Sequence, residues 1–218
     1  MLRNVSEILN YVLLARDGEI GRCKDFLFDD EKWTLRYMVA DTRKWSPGRK
    51  VLISPMSLGT VDWSSRHFQI ELTRRQVEDS PPLEEDAPVS RQYEMMFNAF
   101  FATPAYWGGT NIWGRHPNPA LLRGEHAKLA TDFEGPEESH LRSVKEVTGY
   151  HIQATNGNIG HVEDFVVDDE MWALRYVVVD TRNWLPGRKV LVSPQWATAV
   201  DWAEEKLRVD LTTDTIKD

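Results

Sequence analysis

The chain has 218 residues, of which 41% are hydrophobic and 28% charged, proportions of an ordinary globular protein and a length for one large domain or two of about 100 residues. Its net charge of −8 divides as +1 over residues 1–79, −5 over 80–140 and −4 over 141–218; an acidic chain repels phosphate backbones, so general nucleic-acid binding is disfavoured, with a local basic patch on the first third left open. Apolar stretches fall short of the roughly 20 residues of a membrane helix, Met1–Glu7 places polar and acidic groups where a secretory leader is apolar, and the single cysteine, Cys23, excludes an intrachain disulfide and a cysteine-based zinc site, so the cytoplasm is the expected compartment.

In chain order, Leu9 to Ala15 is an apolar run ending at Asp17-Gly18, a dipeptide suited to a tight hairpin. Ile20 to Phe28 predicts the next strand, and Asp29–Lys32 a polar tip. Trp33 to Ala40 alternates, with Leu35, Tyr37 and Val39 on one face. A long turn around Pro47-Gly48 leads to the strand Lys50 to Ser54, which Pro55 stops. Asp62-Trp63 and a polar tip precede a last strand, Phe68 to Leu72, and Thr73 caps a helical turn through Glu78. Five or six short strands with at most one helical turn predict a small barrel or a strongly bent sheet.

Residues 80–140 differ in character. Ser80 to Pro88 is an extended acidic boundary; Tyr93, Met96, Phe97, Phe100 and Phe101 then recur at helical spacing behind Ser90 as N-cap, and Pro104 ends the helix. The loop from Tyr106-Trp107 to Trp113-Gly114 is too aromatic for a plain tether. Two readings stay open for Phe97, Phe101, Trp107 and Trp113: burial against the chain's own domains, or docking of another protein.

From residue 141 the first pattern returns. Gly18-Glu19-Ile20-Gly21 aligns with Gly157-Asn158-Ile159-Gly160, and Asp41 to Leu52 with Asp180 to Leu191. About two thirds of positions from Gly18 to Pro55 are identical to their counterparts, the signature of a unit present twice. The expected organisation is domain 1 over 1–79, a linker with a short amphipathic helix over 80–140, and domain 2 over 141–218.

The shared segment Asp-Thr-Arg-x-Trp-x-Pro-Gly-Arg-Lys has two readings. Trp45 beside Arg43, Arg49 and Lys50, with Trp184 beside Arg182, Arg188 and Lys189, forms a recognition loop for an acidic or aromatic partner group. Alternatively Asp41 pairs with Arg43 or Arg49, Trp45 covers the barrel end, and Pro47-Gly48 makes the turn.

The order Gly-x-Ile-Gly-x-x-x-Asp-Phe, then Leu35 to Asp41, then Val51-Leu52-Ile53-Ser54-Pro55 resembles the PRC-barrel domain family, known from the cytoplasmic domain of the photosynthetic reaction-centre H subunit and from the ribosome maturation factor RimM. The resemblance covers about residues 5–79 and 144–218. It implies an all-β fold of two small barrels in tandem, packed through the linker, a bacterial source, and use as a protein-contact module without catalytic residues. Within these 218 residues no stretch reads as the membrane anchor expected of the reaction-centre subunit or as the N-terminal domain expected of RimM, so neither specific role is expected.

Other chemistry finds no pattern. Asp29–Glu31 and Asp168–Glu170 lack the ligand spacing of a calcium loop, and His67, His116, His126, His140, His151 and His161 make no paired-ligand motif, so no metal is expected. Ser54 and Ser193 precede Pro without a nucleophile elbow. Gly18–Gly21 opens a strand, not a helix, so no phosphate loop or cofactor is expected. Cys23, replaced by Val162 in the second copy, reads as a small buried apolar residue. The expected function is a non-enzymatic interaction or scaffold module with a protein partner. A homo-oligomer is also open, since two covalent copies suit the contacts of a single-unit dimer. Two alternatives are an RNA- or ribosome-associated role on the RimM resemblance and a small ligand held between the barrels.

Overall fold

The structure is a computed structural model describing residues 1–42, 49–83, 89–122, 140–181 and 189–217. The N-terminal segment runs β1 (Leu2–Asn4), α1 (Val5–Ile8), β2 (Val12–Ala15), β3 (Gly18–Asp29), β4 (Thr34–Asp41), β5 (Lys50–Ile53), a 3-10 turn (Pro55–Ser57), β6 (Leu58–Asp62), β7 (His67–Ile70) and α2 (Arg74–Glu78). Next come α3 (Arg91–Phe101) and a 3-10 turn at Pro119–Leu122. The C-terminal segment runs β8 (Leu141–Ser143), α4 (Val144–Val147), β9 (His151–Ala154), β10 (Gly157–Asp168), β11 (Ala173–Asp180), β12 (Lys189–Val192), a 3-10 turn (Pro194–Trp196), β13 (Ala197–Asp201), β14 (Lys206–Val209) and α5 (Thr213–Lys217). Each element of this second series begins 139 residues after its counterpart in the first.

Local chemistry accounts for these elements. Asp17 sits in the two-residue β2–β3 hairpin, which closes at Ala15 opposite Gly18. At the β3–β4 tip the Asp29 carboxylate accepts from the Glu31 and Lys32 amides, fixing the turn that the sequence marks as polar. Thr73 and Gln76 form a capping box on α2. The invariant spacing Gly-x-Ile-Gly has a steric cause: Gly21 and Gly160 hold φ of +124° and +129°, and a Cβ on either would lie 2.0 Å from the carbonyl oxygen of Asp41 or Asp180.

The all-β expectation holds for the described residues, while the sheet they form differs from two closed barrels. Among the described residues the strands join one mostly antiparallel 14-stranded sheet that is not closed, with the path β13-β14-β9-β10-β11-β4-β3-β2-β7-β6. The physical reason lies in the long strands. On one edge of β3, β2 covers only Gly18 to Arg22, leaving the buried end Leu27–Asp29 without a neighbour of its own segment; β8 of the other segment pairs there. Reciprocally, β1 pairs with Val166–Asp168 of β10. Three-residue strands of mixed polarity carry no alternation signal, so β1 and β8 are not visible without their distant partner. The short strand β6 and helix α1 also go beyond the sequence expectation.

The junction is reciprocal throughout. Leu35 N–H donates to Trp172 O at 2.8 Å and Leu174 N–H to Trp33 O at 2.7 Å. Ser143 Oγ–H and Lys145 N–H donate to the Asp25 carboxylate, and Ser6 donates through N–H and Oγ–H to Asp164. Burial pushes the Asp25 carboxyl above its usual range, against the pull of these hydrogen bonds. Trp172 reaches across to lie 6.0 Å from Phe26 and 6.1 Å from Phe68, in one apolar core shared by both segments. Cys23 is fully buried in that core, and burial pushes its thiol well above the usual range.

Candidate partner-binding faces

Strands β4 and β11 share Leu-Arg-Tyr at the same positions, yet their burial diverges. Every residue of β4 up to Ala40 is buried, whereas Arg175 and Tyr176 of β11 are exposed. Residues 89–122 make the difference, because they cover the first face and leave its counterpart bare.

The cover is built around α3. Ser90 Oγ caps it by accepting from Tyr93 N–H, and Ala102 ends it in the left-handed region at φ 50°. The aromatic spacing does not define one oily face: Phe97 turns inward with Arg91, Glu94 and Asn98, while Met95, Met96 and Phe100 face solvent. The inward face is organised by Glu94. Tyr37 Oη–H donates to Glu94 Oε2 at 3.1 Å, Arg91 Nη1–H donates to Glu94 Oε1 at 3.0 Å, and Arg91 also reaches Tyr106 Oη at 3.2 Å. The Tyr37 ring meets Phe97 edge-on at 5.2 Å. Burial, then the nearby Glu94 carboxylate, holds the Tyr37 and Tyr106 phenols well above their usual range; burial pushes Tyr93 up to about 12.

The loop after α3 completes the cover. Trp113 is fully buried, and its Nε1–H donates to Met171 O at 2.7 Å. The Arg36 guanidinium lies 3.9 Å from the Tyr106 ring centroid and 4.9 Å from that of Trp113, donates to Ile112 O, and pairs with Asp29 at 2.9 Å. The cation is thus desolvated but fully engaged, which is the condition for a buried ion pair to be tolerated.

On the C-terminal segment the same side chains stand without a cover. Leu191 is 53% exposed against 1% for Leu52, and Tyr176 is 36% exposed against 2% for Tyr37. Trp196, on the 3-10 turn that follows β12, is 45% exposed. Arg175 pairs with Asp168 as Arg36 does with Asp29, at 2.8 Å. Burial works against the Asp168 carboxylate, but the Arg175 hydrogen bond and charge together with the Glu170 and Met171 amides outweigh it and hold the group below its usual range. A cleft of about 710 Å³ opens here, between Arg175, Pro194, Ala197 and Val200 on one side and the Asp30–Trp33 tip on the other, with Ile112 at its border.

Of the twelve sequence-predicted contact residues, Phe97 and Trp113 are buried within the chain, so the docking reading gives way to the burial reading for these two. Phe101 and Trp107 are half-buried; Trp107 packs under Arg91 at 4.1 Å. Arg49 donates to the carbonyls of Glu78 and Ser80, holding the chain that leaves α2. Lys50 and Lys189 begin β5 and β12, with Lys189 paired to Glu163 at 2.7 Å. Arg43, Trp45, Arg182, Trp184 and Arg188 lie outside the described residues. Sequence reasoning missed Tyr176, Leu191 and Trp196; the available signal was the identity of the first two with Tyr37 and Leu52. Among the described residues no three His, Cys, Asp or Glu side chains are grouped to hold a metal ion, and no helix is long and apolar enough to cross a membrane. No protein-family model matches the chain, and no curated protein matches it.

Proposed function

We propose that the chain is a non-enzymatic interaction or scaffold module of the cytoplasm, built from a PRC-barrel-like unit present twice (1–79 and 141–218), that binds another polypeptide through the open face of its C-terminal segment. The observation that carries this reading is the exposure of Tyr176 and Leu191, set on the neighbouring strands β11 and β12 by the Val178–Leu191 register, where the equivalent Tyr37 and Leu52 are buried. An exposed apolar cluster on an otherwise satisfied surface marks an interaction site. The reciprocal pairing of β1 and β8 further supports the view that the two units form a covalent version of a single-unit dimer. The small-ligand reading would have to use the cleft beside Arg175, but the equivalent space on the N-terminal segment is filled by a protein side chain, which favours a polypeptide. Nothing at the face favours RNA.

A photo-cross-linking side chain placed at Leu191 in cells of the source organism tests this, with Glu19 as exposed control. Expected are adducts with another polypeptide from position 191 and none from position 19. Trapped RNA, or no adduct at position 191, would count against the reading.

A further inference from the structure

We infer that the open C-terminal face takes a specific kind of occupant: an amphipathic helix followed by a tryptophan-bearing loop, supplied by another polypeptide, with a carboxylate set on the Tyr176 hydroxyl and an indole seated in the cleft beside Arg175. The inference rests on the interaction-module reading and specifies its partner.

The warrant is an internal template. On the N-terminal segment residues 89–122 show how this face is satisfied. A carboxylate from the helix accepts from the tyrosine, an aromatic ring packs edge-on to it, a backbone carbonyl accepts from the arginine, and an indole lies between the arginine and the opposite hairpin tip. The C-terminal face retains the side chains those contacts need. Tyr176 stands for Tyr37, Arg175 for Arg36, Leu191 for Leu52 and Pro194 for Pro55, each at the equivalent position of its element. The indole seat is retained as well. Trp113 donates to Met171 O in the hairpin tip facing the first face; the counterpart tip residue facing the second is Lys32, which lines the cleft. The corresponding arginine atom is ready too: Arg175 engages Asp168 through Nε and Nη2. Among the described residues its Nη1, the atom by which Arg36 holds Ile112 O, donates to nothing.

Two features favour a polypeptide over a second copy of the chain as occupant. The open face offers tyrosine, arginine and leucine, and what satisfies the tyrosine on the covered face is a glutamate carboxylate, so two open faces brought together would lack that acceptor. In addition, Ile112 of the existing cover already borders the cleft, so an added helix and loop would continue an interface that the chain has begun. The leucine-to-arginine contrast is also sharp enough to test, because Leu191 can be changed without touching the core.

The probe is a fluorescein-labelled peptide of residues 89–122, titrated into the intact chain and followed by anisotropy. The cis segment occupies its own face at high effective concentration, so the added peptide reports on the open one. Expected is saturable 1:1 binding that weakens at least tenfold with Leu191→Arg in the protein or Trp113→Ala in the peptide. A double-mutant cycle of Tyr176→Phe against peptide Glu94→Leu should show the two changes to be non-additive, because each removes one partner of the same hydrogen bond. An unchanged melting temperature for Leu191→Arg separates a lost contact from a lost fold. Absence of saturable binding, binding indifferent to Leu191→Arg and Trp113→Ala, or a homodimer by sedimentation that Leu191→Arg dissolves would each overturn the inference. If the peptide fails while a cross-linker at position 191 still traps another protein, the interaction-module reading stands and the template inference falls; if both fail, both fall.

Discussion

The two faces formed by β4–β5 and β11–β12 are made from nearly the same residues and end in opposite states. On the first, Arg36 and Tyr37 are buried under α3 and its loop and Leu52 is buried; on the second, Arg175, Tyr176 and Leu191 meet solvent. The contrast extends to the tryptophans, since Trp63 lies under the Arg3 guanidinium at 3.5 Å whereas its counterpart Trp202 is 67% exposed. The framework beneath is the same in both, held by the same glycine steric requirement and reciprocal strand exchange. Sequence identity therefore sets the backbone of each segment, while the burial of Arg36 and Tyr37, and with it their energetic weight, is set by what the 89–122 region adds to one segment alone.

Paired substitutions can break or sharpen that contrast. The largest difference is expected for Arg36→Ala against Arg175→Ala. Removing Arg36 leaves the buried Asp29 carboxylate uncompensated, at a cost of about 3–5 kcal/mol, whereas the partly exposed Arg175–Asp168 pair contributes ~0–1 kcal/mol. Urea unfolding midpoints measure both. Leu52→Ala should cost about 2–5 kcal/mol through lost burial and the cavity left behind, and Leu191→Ala about 0.5 kcal/mol or less. Tyr37→Phe removes the donor to Glu94 and is expected to cost about 1–3 kcal/mol, while Tyr176→Phe should be close to neutral. Equal effects within any pair would erase the distinction between the faces.

The smallest effect at neutral pH, where it vanishes, is alkaline. The buried Tyr37, Tyr93 and Tyr106 phenols keep their protons in the folded chain above the pH at which they ionise when unfolded. The unfolded state then binds fewer protons, so stability falls as pH rises above about 10, continuing through the Tyr93 value near 12. Phenolate absorbance should accordingly show a late fraction that appears with unfolding, and Tyr37→Phe should reduce it.

Much of the framework was legible. The Asp17-Gly18 hairpin, the strand bodies of β3, β4, β5 and β7, the Thr73 cap and the Ser90 cap all follow from local chemistry, and each is where the residues place it. What escaped depends on distant partners. The strand exchange of β1 and β8 is invisible because three residues carry no period, and the β4–β11 pairing that joins the two segments in one sheet is likewise set by distant partners. The helix was placed correctly but its buried face was not, since nothing local tells Glu94 that Tyr37 and Arg91 will surround it. The candidate site was legible only as an unasked question: Tyr176 and Leu191 are repeated from the first copy, but the segment that buries their counterparts is not repeated within 141–218.

Side-chain footprinting by hydroxyl radicals, with residue-level mass spectrometry on the intact chain, tests the central claim most directly. The account predicts strong labelling of Tyr176, Leu191 and Trp196 and protection of Tyr37, Leu52 and Trp113 in the same sample. Equal labelling of Tyr37 and Tyr176, or of Leu52 and Leu191, would contradict it.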